Sequence, residues 1–155
     1  MAAGQHLPTP GQRPDRGSAP FARGRCLCGA VRYEVRGALR NVVICHCQDC
    51  RRWHGHVCAA TAAARDDLVL VAGEEQLRWF ESPTSEAGAR RGFCARCGSS
   101  LFWEAPGRQT ISIAAGTLDA PTGLRTVAHI YTDFAGDYYQ RGDDGLECFP
   151  GRSGL

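Results

Sequence analysis

Seven of the nine cysteines in this 155-residue chain fall into three short clusters, and the spacing inside each is that of metal ligands. The first cluster is Cys26-Leu27-Cys28-Gly29 and the third is Cys94-Ala95-Arg96-Cys97-Gly98. Residues i and i+2 of an extended segment face the same way, so Cys26 and Cys28 can address one ion, and C-x-x-C-G is the turn of a zinc knuckle. Together the two pairs offer four thiolates, enough to close a tetrahedral structural zinc site. The glycine after each pair suits such a turn, because a residue without a Cβ tolerates backbone torsions that others resist. Reduced buried thiols or redox pairs are the bland alternatives, and they account less well for these spacings.

The middle cluster, Cys45-His46-Cys47-Gln48-Asp49-Cys50, packs three thiolates into six residues. A zinc held by Cys45, Cys47 and Cys50 either keeps a fourth position open for water or substrate, as catalytic zinc does, or is closed by His54, His56 or Cys58. Spacing alone leaves both readings standing. With Asp49 capping a short helix, Cys50 falls in the first turn, where the helix dipole favours a thiolate, and Arg51 and Arg52 follow to balance the charge. His46 sits between two ligands and faces away from the metal in an extended segment, a surface or supporting residue with proton transfer as its sharper reading. His129, inside an apolar run, reads as a core or strand-edge histidine. Cys58 and Cys148, taken singly, read as small apolar residues, and Tyr138 and Tyr139 as aromatic packing more than pocket lining.

Composition narrows the chemistry further. All 18 basic residues are arginine, so no lysine is present to form a Schiff base or to serve a P-loop. The formal net charge is +2, and residues 1–25 carry four arginines against Asp15, which leaves the remainder at −1 and argues against a nucleic-acid surface. With both sites filled the ligand charges bring the total to about −1. No run approaches the ~20 apolar residues needed to span a bilayer, and the N-terminus has no signal-peptide core. Odd, clustered cysteines without such a signal point to a cytoplasmic metal protein and not to a disulfide framework. The arginine-, alanine- and glycine-rich usage suggests a GC-rich bacterial genome.

The elements that must position these clusters are mostly strands. Val31, Tyr33 and Val35 alternate with Arg32, Glu34 and Arg36, the period of a half-buried strand. Further strands are expected at 42–44, 68–71, 77–80, 101–103, 111–114 and 127–131, separated by glycine, proline and aspartate. A short helix is expected at 49–53, and the alanine-rich stretch 59–64 suits either a second helix or a strand. Residues 1–20, with four prolines and almost no large apolar side chain, are expected to be a disordered arm. A single domain is expected over 21–150, with the chain from Gly145 on lying at the surface and fraying, and 151–155 as a frayed tail.

The series GRCLCGAVRYEV, CHCQDCRRWHG, RRGFCARCGSSLFW and HIYTDFAGDYYQ with DDGLECFPG resembles the glutathione-dependent formaldehyde-activating enzyme family, which also contains centromere protein V. The likeness runs from about Arg25 to Pro150. It implies a β-tent zinc fold of small antiparallel sheets clamped by a four-cysteine zinc site, with one or two short helices. It also implies two zinc ions: a structural one on Cys26, Cys28, Cys94 and Cys97, and a catalytic one with an open position on Cys45, Cys47 and Cys50. The implied activity is that of a carbon–sulfur lyase, which adds glutathione to formaldehyde to give S-hydroxymethylglutathione. Arg51 and Arg52, beside the cluster, are candidate partners for the two glutathione carboxylates. Another thiol or aldehyde, a non-catalytic zinc-stabilised interaction module, and a thiol relay through Cys45, Cys47 and Cys50 are the competing readings.

Overall fold

The computed structural model describes residues 21–84 and 88–152. The expected N-terminal arm and residues 153–155 lie outside the described residues. The chain runs β1 (Ala22–Arg25), β2 (Arg32–Val35), β3 (Val42–Cys45), α1 (Gln48–His54), β4 (Cys58–Ala64), β5 (Leu68–Ala72), β6 (Leu77–Glu81), β7 (Arg90–Cys94), β8 (Ser100–Glu104), β9 (Thr110–Ala114), β10 (Thr126–Ile130) and β11 (Glu147–Cys148), joined by short 3₁₀ turns. The fold is mostly β, as the sequence indicates, and α1 is the one α-helix among the described residues. No helix among them is long and apolar enough to cross a membrane.

Two sheets result. The smaller has the order β1-β2-β5 and is antiparallel throughout; the larger has the order β11-β10-β3-β4-β9-β8-β7-β6. In the larger sheet β10 runs parallel to both β3 and β11, so this sheet is mixed and not antiparallel. A parallel neighbour requires a crossover, and here the whole segment from α1 to β9 supplies it.

The core lies where the sheets face each other. Val31, Tyr33 and Val35 point inward and are almost fully buried, as their alternation requires, and meet Ala63, Leu77, Leu101, Phe102, Ile111 and Ile113 from the larger sheet. Tyr33 packs edge-on against Phe102, with ring centroids 5.0 Å apart, and its hydroxyl meets Thr117 Oγ1 at 2.6 Å. Burial pushes the phenol above its usual range in spite of that partner.

The alanine-rich stretch is a central strand. Alanine favours helix by intrinsic propensity, but β4 is flanked on both sides, by β3 and β9, and ladder hydrogen bonds with tertiary packing override that preference. The chain after Gly145 does not fray at once. Phe149 N–H donates to the His129 carbonyl at 2.9 Å and Tyr131 N–H to the Gly151 carbonyl at 2.8 Å, so the segment is tied along β10.

Candidate metal centres and the cavity beside them

The fold assembles two groups of thiols. The Sγ atoms of Cys26, Cys28, Cys94 and Cys97 all lie within 4.8 Å of one another, and so do those of Cys45, Cys47 and Cys50. Sulfurs on a tetrahedral zinc at ~2.3 Å stand about 3.8 Å apart. In the first group Cys26 and Cys28 are separated by 3.5 Å and Cys28 and Cys94 by 3.9 Å. Donor chemistry and spacing therefore fit zinc.

The four-thiol group joins the turn after β1 to the turn after β7, and so ties one sheet to the other. Gly29 and Gly98 hold φ of +72° and +75° and donate to the Cys26 and Cys94 carbonyls, the turn that the two glycines lead one to expect. The Ser99 hydroxyl approaches Cys97 Sγ at 3.2 Å and accepts the Leu27 N–H at 3.0 Å. The hydrogen bonds from Ser99 hold the Cys97 thiol down to about 5.

The three-thiol group is built differently. Cys45 ends β3, and Cys47 is the N-cap of α1, its Sγ accepting the Cys50 N–H at 3.4 Å. The cap is thus Cys47, two residues before the expected Asp49, because the sulfur itself takes the orphan donor of the first turn. The neighbouring thiols of Cys45, Cys47 and Cys58 hold the Cys50 sulfur far below the usual range. Cys45 is pushed up in turn by sharing its proton with Cys47 and Cys50.

Asp49 ties the helix down. Its carboxylate accepts from Thr84 at 3.0 Å and pairs with the buried Arg91 at 3.6 Å. Trp53 stacks on Phe80 and donates its indole N–H to Ser100 at 2.8 Å, and Gly55 ends the helix at φ +77°.

The three residues that could close the middle site sit in different places. His56 turns to Tyr138, with Nδ1 3.2 Å from the hydroxyl, away from the cavity. His54 lines the cavity, and burial pushes its imidazole below the usual range. Cys58 lies directly across from Cys45 in the β3–β4 ladder. The Cys50 sulfur nearby, together with burial, pushes its thiol well above the usual range. Among the described residues no fourth His, Cys, Asp or Glu atom joins the three thiols within 4.8 Å.

The three thiols open onto a cavity of about 530 Å³, walled by β3, β4, β8 and β9. The four-thiol group does not line it. Arg51 and Arg52 do not line it either: Arg51 Nε donates to the carbonyls of His46 at 3.3 Å and Phe134 at 3.2 Å, and Arg52 is exposed. Tyr131 does line it, from a left-handed backbone at φ +56° that a residue with a Cβ adopts only under tertiary constraint.

Behind the cysteine loop runs a chain of hydrogen bonds that spacing could not reveal. His46 Nδ1 lies 2.6 Å from the Tyr139 hydroxyl, His46 Nε2 lies 2.8 Å from His129 Nδ1, and His129 Nε2 lies 2.9 Å from Asp144 Oδ2. An ionised carboxylate only accepts, so Asp144 makes His129 the donor at Nε2. With both imidazoles neutral, His129 Nδ1 then accepts from His46 Nε2–H, and His46 Nδ1 accepts from Tyr139 O–H. Each imidazole is thereby fixed as the Nε2–H tautomer. His46 faces away from the thiols, as the extended spacing predicts, but it is buried, and its ring braces the loop between Cys45 and Cys47 from behind. Burial first, then His129 and the cations Arg141 and Arg51, push its pKa down to about 4.

A solved structure of a Rhodobacter sphaeroides protein superposes with a TM-score of 0.53 at 25% identity, covering 82% of this chain and 98% of that one. No curated protein matches. The sequence profile described as glutathione-dependent formaldehyde-activating enzyme matches residues 21–134, which contain every cysteine of the two thiol groups. By that match over most of its length, the chain belongs to the glutathione-dependent formaldehyde-activating enzyme family.

Proposed function

We propose that the protein catalyses the reversible addition of a thiol, glutathione, to formaldehyde, giving S-hydroxymethylglutathione. The observation that carries this reading is the contrast between the two thiol groups. One has four donors and stands apart from the cavity, while the other has three and forms part of the cavity wall. On this reading Cys26, Cys28, Cys94 and Cys97 hold a structural zinc, and Cys45, Cys47 and Cys50 a catalytic one. Zinc bound by the three thiolates would act as a Lewis acid that stabilises a sulfur anion, so that an incoming thiol loses its proton near neutral pH.

The residues of the chain do the rest. The Cys47 cap and the Asp49 pair with Arg91 fix α1 on the sheet, so the three sulfurs keep one geometry. The cavity walls hold thiol and aldehyde together, which makes the addition effectively unimolecular. A carbon–sulfur bond forms at the carbonyl carbon, the C=O π pair moves to oxygen, and the thiol proton ends on the new hydroxyl. No oxidant or reductant is needed. On this reading His54, which lines the cavity and is held toward its neutral form by burial, carries that proton.

Magnetisation-transfer NMR of glutathione, formaldehyde and their adduct tests the reading. Zinc-loaded wild type should speed exchange above the spontaneous rate, and Cys47→Ala, with its fold retained, should lose at least tenfold of that acceleration. A wild-type rate equal to that of buffer would rule out the reaction.

A further inference from the structure

The charge around the cavity is uneven. Among the described residues four arginines line it, Arg40, Arg91, Arg108 and Arg152, against one carboxylate, Asp49. Asp49 already faces Arg91 and Thr84. Arg108 lies over the Trp103 ring, 4.9 Å from its centroid. Arg152 is exposed and keeps its hydration. Arg40 differs from all three. It is half-buried, and among the described residues its guanidinium makes a single hydrogen bond, from Nη2 to the Ala60 carbonyl at 3.3 Å, with no carboxylate partner. Withdrawing a cation from water without a counter-ion is unfavourable, and burial indeed pushes this guanidinium below its ordinary range. An anion entering the cavity would offset that cost.

Register gives the distance at which the anion would sit. Cys45 pairs with Cys58 and Val43 with Ala60 across the β3–β4 ladder. The bond to Ala60 therefore holds the Arg40 guanidinium two residues along the strand from the level of the thiols, about 7 Å. Between them the cavity floor is formed by Cys58 and Ala60, and Ala62 continues the same face of β4 beyond Arg40. Two methyl groups where most strands carry branched side chains leave a trough. An extended peptide spans about 3.5 Å per residue, so a cysteinyl peptide with its sulfur at the three-thiol group brings a carboxylate within reach of Arg40.

We propose that Arg40 binds a carboxylate of the thiol substrate, along a trough that Ala60 and Ala62 keep clear, and so selects acidic cysteinyl peptides over small neutral thiols. This inference rests on the thiol–aldehyde reading above and identifies which side chain sets its specificity. Of the two arginines adjacent to the thiols in sequence, Arg51 is bonded to backbone carbonyls and neither borders this space. An arginine suits the role because its planar fork meets both oxygens of a carboxylate at once.

The test compares two thiols in the zinc-loaded full chain, glutathione and 2-mercaptoethanol, with wild type, Arg40→Gln, Arg40→Lys and Ala60→Leu. Circular dichroism and zinc content confirm that each variant is folded. Arg40→Gln should raise KM for glutathione at least tenfold with kcat changed less than threefold. Its kcat/KM for 2-mercaptoethanol should stay within threefold, and Arg40→Lys should recover part of the loss. Ala60→Leu, which fills the trough, should penalise glutathione more than the small thiol. Equal losses for the two thiols, or an unchanged KM for glutathione, would overturn the assignment. Titration of each protein with glutathione and with its diethyl ester, followed by NMR, separates the two ideas if wild type accelerates neither thiol. In that case the reaction is wrong. Tighter binding of glutathione than of the ester, abolished by Arg40→Gln, would still support the Arg40 site, and equal binding of the two ligands would end it.

Discussion

At the scale of single residues, the cysteines divide labour through their neighbours. Cys97 is made acidic by the Ser99 hydroxyl and backbone, whereas Cys50 is made acidic by the thiols around it. His46 shows how a side chain can serve a site that it does not face. Its ring is enclosed by Tyr139 and His129, and a buried imidazole with both nitrogens already engaged gains little from a second proton. It should stay neutral at pH 5.5 and give the ¹⁵N pattern of an Nε2–H tautomer in long-range ¹H–¹⁵N spectra; an imidazolium pattern at that pH would contradict the bond in which His46 Nδ1 accepts from Tyr139. The linkage sign follows. The unfolded chain takes up this proton near the ordinary 6.5 and the folded one only near 4, so native stability falls as pH drops through that window and is level above it.

At the scale of elements, the strands are held by a few polar fixtures as well as by the ladders. Glu104 on β8 is buried and receives Arg90, its cross-strand partner on β7, at 2.5 Å, and Arg65, from the turn after β4. One carboxylate thus serves two cations from opposite sides, which pins the β7–β8 edge to the end of β4. Glu104→Gln keeps the shape and removes the charge. It should cost about 1–3 kcal/mol, because both arginines remain half-exposed and recover some hydration. Urea unfolding of the metal-loaded protein should show a lower midpoint with an unchanged m value. A neutral result would mean that the two arginines solvate as well without the carboxylate as with it.

At the scale of the whole molecule, the four-thiol group links the two sheets, whereas the three-thiol group belongs to one sheet and its helix. Burial does not separate the two groups, since Cys28 is exposed and Cys45 buried; the difference lies in four donors against three, and in the cavity that borders only the second group. Metal removal should therefore proceed in two stages. A chromogenic chelator should take a first equivalent of zinc quickly with near-UV circular dichroism preserved, and a second slowly, together with loss of the tertiary signal. Cys50→Ala should delete the fast phase alone. Simultaneous loss of both equivalents and of structure would show that the middle site is as essential to the fold as the clamp.

The two thiol groups could be read from residue types and spacing because ligand chemistry is local: a C-x-C pair, a C-x-x-C knuckle and the glycine after each are decided within a few residues. The alternation of Val31, Tyr33 and Val35 was legible for the same reason, since a strand's inward face has period two. Less local features were not. The strands at 22–25 and 90–94 lack strong alternation, and β11 exists only because β10 offers it an edge. The parallel pairing of β3 with β10 and the strand state of an alanine run depend on neighbours far along the chain. So do the line from Tyr139 through His46 and His129 to Asp144, and the placing of Arg40, not Arg51, on the cavity wall. Sequence determined which atoms could bind a metal. The tertiary structure decided what surrounds them, because burial and an unpaired charge are properties of a packed neighbourhood and not of a segment.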